Sequence, residues 1–337
     1  MGWTYRAPPW LPGGNLQTLW PALFARRADG PLPPWRRERW TTPDGDFVDA
    51  DWQDLPDAAA PPAAPSTPIA PAEPLLVLFH GLEGSSASHY AVAFAHTARR
   101  LGWRFVVPHF RGCSGELNLA PRAYHSGDFE EVGWMLQRAR AAHPHGPMLA
   151  VGVSLGGNAL LRWAEEAGDR AAATVRAVAA VSSPVDLAAG GHAIGRGFNR
   201  LVYTRMFLRS MKPKALAKLA QHPGLFDRRR LEAARDLYEF DDVFTAPLHG
   251  FRGTDDYWRR ASAKPHLHRI RIPALVLNAL NDPFVPGASL PHPREVGACV
   301  SLWQPGHGGH VGFPAGRFPG HVMTMPEAVA RWLAAHL

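Results

Sequence analysis

From residue 75 onward, short runs of purely apolar residues alternate with stretches of helical spacing, and this alternation constrains the fold most. Leu75–Phe79, Met148–Val153 and Val178–Val181 contain no polar side chain, and Arg104–Pro108 is apolar after its first residue. Between them, Ala87–Leu101, Gly127–Ala142 and Leu155–Gly168 read as helices. A strand that is apolar in both directions has to be buried on both faces, so the pattern predicts a parallel sheet covered by helices on each side. The alternation stops at Pro184, and residues 184–265 show helical spacing, many Arg, Phe and Tyr, and no strand signal. It resumes with Ile272–Asn278 and Cys299–Trp303 and ends in a helix over Pro326–Leu337, with Pro326 suited to a first turn. The expected architecture is α/β, an eight-stranded and mostly parallel sheet. Residues 1–183 and 266–337 form its core, and 184–265 a helical cap inserted after the sixth strand.

Two further strands precede residue 75. Arg39–Thr42 and Phe47–Trp52 flank Pro43-Asp44-Gly45-Asp46 and read as a β-hairpin. Before them, Asn15 is a candidate cap for a short helix in which Leu16, Leu19, Trp20, Leu23 and Phe24 form one apolar stripe. That stripe is expected to pack on the domain body, with peripheral membrane or partner docking as the other reading. Residues 56–74 hold seven Pro and seven Ala and read as a surface loop or linker.

Composition removes several functions. Cys113 and Cys299 are too few for a disulfide framework or a cysteine-rich metal site, so neither metal nor cofactor is expected. No apolar run reaches the length of a membrane span, and Pro8, Pro9 and Pro12 interrupt any signal-peptide core, so a cytoplasmic location is expected. The formal net charge is +7, unevenly spread. Residues 196–235 carry eleven basic side chains against Asp227 and Glu232, a local excess of +9 that leaves the rest of the chain at −2. A uniformly basic nucleic-acid binder is therefore disfavoured, although the segment itself keeps a binder of anionic surfaces or nucleic acid open as a rival class.

The strongest chemical signal is Gly152-Val153-Ser154-Leu155-Gly156, between an apolar strand and a helix. In a G-x-S-x-G elbow the serine sits in a strained turn, which requires minimal side chains two residues before and after it. Gly152 and Gly156 meet that need. The elbow would expose Ser154 and present the Leu155 N–H to a developing oxyanion. A serine nucleophile needs a base and an orienting acid, and this fold orders them Ser, acid, His. Asp282 lies in the loop after Ala274–Asn278, and His307 and His310 both lie in the glycine-rich loop after Cys299–Trp303. Spacing alone leaves both histidines open. The second oxyanion donor is expected from His80-Gly81-Leu82-Glu83-Gly84, with the Leu82 N–H first and Glu83 second. Gly81 eases the turn, and His80 is read as an orienting residue. Phe198, Tyr203, Phe207, Phe226, Tyr238 and Phe244 of the cap are candidates to line an acyl pocket.

These residues stand within a longer series. Trp10–Thr18, Pro43–Trp52, His80–Ser85, Phe110–Glu116, Pro121–Gly127, Gly152–Gly157, Phe240–Gly250, Asn281–Phe284 and Gly308–Phe313 run almost end to end. Together they resemble the YheT-type subfamily of alpha/beta-hydrolases, related to plant embryogenesis-associated hydrolases and yeast ethyl ester synthase/esterases. The resemblance implies an alpha/beta-hydrolase fold, with Ser154 as nucleophile, Asp282 as acid and His310 rather than His307 as base. The subfamily usually carries an acid where Asn281 stands, which leaves Asp282 alone in that role. The implied activity is hydrolysis of small-molecule carboxylic esters, with short- to medium-chain acyl groups, and alcohol acyl transfer through the same acyl-enzyme as the alternative.

Overall fold

A computed structural model describes residues 2–32, 34–54 and 72–337. Eight strands form one sheet in the order β1-β2-β4-β3-β5-β6-β7-β8. They are β1 Arg36–Thr41, β2 Phe47–Gln53, β3 Leu75–Phe79, β4 Arg104–Pro108, β5 Met148–Val153, β6 Ala177–Val181, β7 Ala274–Leu277 and β8 Val300–Trp303. Only β2 runs against its neighbours; β3 to β8 are parallel. The hairpin pairs Trp40 with Val48 and Thr41 with Phe47. Of the Pro/Ala-rich stretch read from the sequence, all but 72–74 lies outside the described residues.

The alternation of side chains along the strands builds two cores. Leu75, Val77, Phe79, Val106, Met148, Ala150, Val178 and Ala274 face one side, against helices α3 (Phe129–Ala142) and α4 (Leu155–Ala167). Leu76, Leu78, Phe105, Val107, Leu149, Val151, Ala179 and Leu275 face the other, against α2 (His89–Arg100) and α12 (Thr324–Ala334). Burial of both faces is what the polar-free runs require. Pro326 is the third residue of α12, inside its first turn.

Between β6 and β7 the chain forms α5 (Leu187–Ile194), α6 (Gly197–Asn199), a π-helical turn at Arg200–Thr204, and α7 (Arg205–Gln221). α8 (Arg228–Ala233), α9 (Leu237–Val243), α10 (Thr245–Leu248) and α11 (Thr254–Ala261) follow. The insertion has its own small core of Leu208, Ala215, Leu231, Phe240, Val243 and Phe244. Three side chains spaced one turn apart, two on α7 and one just past its end, fasten the insertion to two loops of the core, the one after β3 and the one before α3. Lys214 pairs with Glu83 at 2.9 Å, Lys218 Nζ donates to the Asn118 and Ala120 carbonyls at 2.5 and 2.9 Å, and His222 Nε2 lies 2.8 Å from the Leu119 carbonyl.

The N-terminal helix corrects the sequence reading. α1 spans Gly14–Leu23 with Gly13 at its cap, so Asn15 is a helical residue. Its buried residues are Gln17, Thr18 and Pro21, whereas Leu16, Leu23 and Phe24 are exposed. The surface beneath α1 is a pair of polar loops rather than a sheet face, so the polar side of the helix turns inward.

Candidate active site

Ser154 sits between β5 and α4 with φ 53° and ψ −119°, a conformation that costs an L-residue free energy and persists only where its surroundings enforce it. The enforcement is steric. A Cβ on Gly152 would lie 2.4 Å from the Gly156 carbonyl oxygen, and one on Gly156 would lie 2.4 Å from that of His80. No larger residue fits at either position, and the two backbones therefore close tightly enough to hold the turn.

Ser154 Oγ lies 3.0 Å from His310 Nε2, and His310 Nδ1 lies 2.9 Å from Asp282 Oδ2. An ionised carboxylate only accepts, so Nδ1 carries the proton and Nε2 accepts from the serine hydroxyl. Asp282 is itself held by its other oxygen, which accepts from the Phe284 and Val285 amides at 2.8 and 3.2 Å. Phe284 also covers the imidazole, with ring centroids 4.2 Å apart. His307, the competing histidine, is exposed and makes no hydrogen bond among the described residues. The chain reverses between the two through Gly308 (φ 148°) and Gly309 (φ 62°).

Accounting for the amides of the loop after β3 separates the oxyanion candidates. The Gly81 N–H donates to Tyr90 Oη at 2.8 Å, that of Glu83 to Tyr124 Oη at 2.9 Å, and that of Gly84 to the Gly81 carbonyl at 2.9 Å. The Leu82 N–H has no acceptor among the described residues, and neither has that of Leu155 at the start of α4. His80 is fully buried, with Nδ1 2.8 Å from the Gly81 carbonyl and Nε2 accepting the Phe110 N–H at 3.0 Å. Burial pushes its pKa down to about 3, and with both nitrogens engaged it has no lone pair to offer a substrate.

The sequence reading missed two residues of α1. Thr18 Oγ1 accepts the His310 N–H at 2.8 Å, and Gln17 Oε1 accepts the Gly308 N–H at 3.0 Å and the Asn281 side chain at 2.9 Å. Asn281 Oδ1 in turn accepts the Gly309 N–H at 3.0 Å. The loops carrying Asp282 and His310 are thus tied together through the polar face of α1. The close approach requires Gly14, where a Cβ would fall 1.9 Å from the Asn281 carbonyl oxygen. The available signal was Gln17 and Thr18 themselves, two polar residues in a helix otherwise read for its apolar stripe.

Ser154, Leu155, Leu82 and His310 open into a cavity between the sheet and the insertion. Its wall is mostly apolar, with Leu187, Ile194, Phe207, Phe240, Phe244 and Trp258 from the insertion. Of the six cap aromatics proposed from sequence, Phe207 and Phe244 line it. Phe198 is half exposed, and Tyr203 is buried against Phe284 in a separate cluster. Among the described residues no group of three His, Cys, Asp or Glu side chains is arranged to hold a metal, and no helix is long and apolar enough to cross a membrane.

The family model for the alpha/beta hydrolase fold matches residues 74–316. The chain belongs to the alpha/beta-hydrolase family. Over 326 residues it is 40% identical to the Escherichia coli (strain K12) protein named "Putative esterase YheT", covering 96% of this chain and 91% of that one. It is 28% identical to human "Phospholipase ABHD3" over 98% of this chain and 79% of the relative. Among solved structures, Est1E from Butyrivibrio proteoclasticus superposes with a TM-score of 0.54 at 16% identity, covering 89% and 98% of the two chains, a likeness of fold alone.

Proposed function

We propose that this alpha/beta hydrolase cleaves carboxylic esters through an acyl-enzyme on Ser154, with His310 as base and Asp282 as its orienting acid. The observation that carries the reading is the continuous Ser154–His310–Asp282 hydrogen-bond chain at the floor of an apolar cavity, beside two unspent amides. In the first step Ser154 Oγ bonds to the ester carbonyl carbon while its proton passes to His310 Nε2. The carbonyl oxygen takes the negative charge and accepts from the Leu82 and Leu155 N–H groups, each contributing about 3 kcal/mol to the transition state. The C–O bond to the alcohol then breaks as His310 returns the proton to it. In the second step water attacks the acyl carbon, His310 takes its proton, and the acid leaves with Ser154 restored. His80, Gly81, Gly152 and Gly156 support this arrangement without touching the reacting atoms.

The apolar wall supports acyl groups of short to medium length as substrates, and the helices of 184–265 act as the cap that supplies it. Fluorophosphonate labelling tests the assignment. The parent protein is expected to label and to lose hydrolysis of p-nitrophenyl butyrate, and Ser154→Ala to do neither. Labelling that survives Ser154→Ala would sink the assignment.

A further inference from the structure

The insertion has an outer face as well as a cavity face. From Leu187 to Phe226 the sequence holds no carboxylate, and Arg196, Arg200, Arg205 and Arg209 stand exposed on it. None of the four makes a salt bridge or side-chain hydrogen bond among the described residues; Glu239, which faces Arg200 at longer range, is paired with Arg235 at 3.3 Å. Most other cations of the insertion find partners, as Arg228 with Glu232, Arg230 with Asp242 and Arg259 with Asp256, Arg229 being an exception among the described residues. Between the unpaired arginines stand Phe198, Leu201 and Met206, 50, 58 and 54% exposed.

This strip adjoins the exposed face of α1. Tyr203 Oη lies 3.0 Å from Asn15 Oδ1, and Leu19 packs into the cluster that contains Tyr203 and Val202. On α1 and just past its end, Leu16, Leu23 and Phe24 face solvent, and the Trp20 ring packs tilted against those of Phe24 and Phe318, with centroids 4.7 and 5.3 Å away. Six of the twelve exposed large apolar side chains among the described residues thus lie on these two adjoining segments, and a seventh, Phe318, packs against Trp20 of α1. Scattered apolar residues need no explanation, but a concentration of them does.

We propose that this face, the arginine-studded strip 196–209 together with the solvent side of α1, docks on an anionic phospholipid surface. Interleaved Arg and large apolar side chains match an interface in which cations meet headgroups while apolar groups enter the acyl boundary. The charge decides against two other occupants. A second copy related by a two-fold axis would set four unpaired arginines against four more. A nucleic acid would use the arginines but give no role to Leu201, Met206 or Phe24, because phosphates reward only the cations. The inference is independent of the ester-hydrolase reading, since none of these outward residues lines the cavity.

Co-sedimentation of the full chain with phosphatidylcholine vesicles, with and without one third phosphatidylglycerol, tests it. Binding is expected only to the anionic vesicles and should weaken steeply with salt. Arg200→Gln with Arg205→Gln is expected to weaken it about thirtyfold, and Leu201→Glu to abolish it. Thermal unfolding, matching the parent for each variant, shows that the fold is intact. Equal binding to both vesicle types, no binding to either, or variants that bind like the parent would each overturn the proposal. So would a dimer that Leu201→Glu dissociates, or retention of duplex DNA that Leu201→Glu leaves unchanged.

Discussion

Replacing Thr18 by valine keeps the side-chain volume and removes the acceptor of the His310 N–H. His310 is buried, so water does not replace the lost partner cheaply, and an orphaned buried amide costs about 1–3 kcal/mol. The loop recovers that cost only by moving the amide, and any such shift lengthens the 3.0 Å contact to Ser154 and the 2.9 Å contact to Asp282. If the full cost falls on the working geometry, kcat drops about 10- to 100-fold. Thr18 does not line the cavity, so KM is expected to stay within about twofold, the mark of an interaction felt in the transition state. The assay is steady-state hydrolysis of p-nitrophenyl butyrate by the parent, Thr18→Val and Thr18→Ser, with thermal unfolding of each. Serine retains the acceptor oxygen and is expected to restore most of kcat. A folded Thr18→Val within twofold of the parent, or a Thr18→Ser as impaired as the valine variant, would refute the idea that α1 positions the base.

Two other perturbations probe the insertion. Lys214 and Glu83 join α7 to the loop that carries the Leu82 amide, and a double-mutant cycle with Lys214→Met and Glu83→Gln in urea unfolding should give a coupling of about 1 kcal/mol, since the lysine is partly exposed; additive losses would show that the pair does not fasten the cap. Burial raises the Asp241 carboxyl to about 6 against hydrogen bonds from Thr245 and Trp258, so ionising it costs stability that is absent below about pH 4 and fully felt above about pH 6. Asp241→Asn should therefore gain on the parent as pH rises through that window, by about 1–2 kcal/mol after allowing for water in the cavity; a difference in melting temperature that does not change with pH would contradict this.

What the sequence disclosed and what it withheld follow from the same physics. Both-face burial of β3, β5 and β6 leaves a mark that no partner can disguise, because every residue of those runs has to be apolar. The elbow was legible for a similar reason, since Gly152 is demanded by the backbone of Gly156 and Gly157 and Gly156 by the carbonyls at the end of β3, so neither position admits a side chain. Periodicity in α1 reports that one face is apolar but not which face is buried, and there the inward face is Gln17 and Thr18 because polar loops lie beneath it. Spacing did not separate His307 from His310, since the turn through Gly308 and Gly309 decides which one reaches Ser154. The cap aromatics were beyond reach as well: Phe198 on α6 points to solvent, whereas Phe207 on α7, past the π-helical turn, points into the cavity.

The basic insertion invites the reading that it selects anionic substrates, and the placement of its charges argues against this. Of the eleven basic side chains in 196–235, only Lys214 and Lys218 line the cavity. Lys214 is neutralised by Glu83, and Lys218, drawn down to about 8 by burial, is engaged by two backbone carbonyls. Arg111, the other cation in the wall, is compensated by Asp44, Asp46 and Glu131. A substrate carboxylate entering the apolar part of the cavity would find no free cation and would bear a desolvation cost of several kcal/mol, of which about 3 kcal/mol should survive as a rate difference. The neutral ester of a matched pair, methyl and free-acid forms of the same acyl chain carried by one leaving group, is therefore expected to show a kcat/KM about a hundredfold higher at low salt. If the anionic member reacts as fast or faster, the Lys214–Glu83 pair opens on binding and the cavity is a charged site after all.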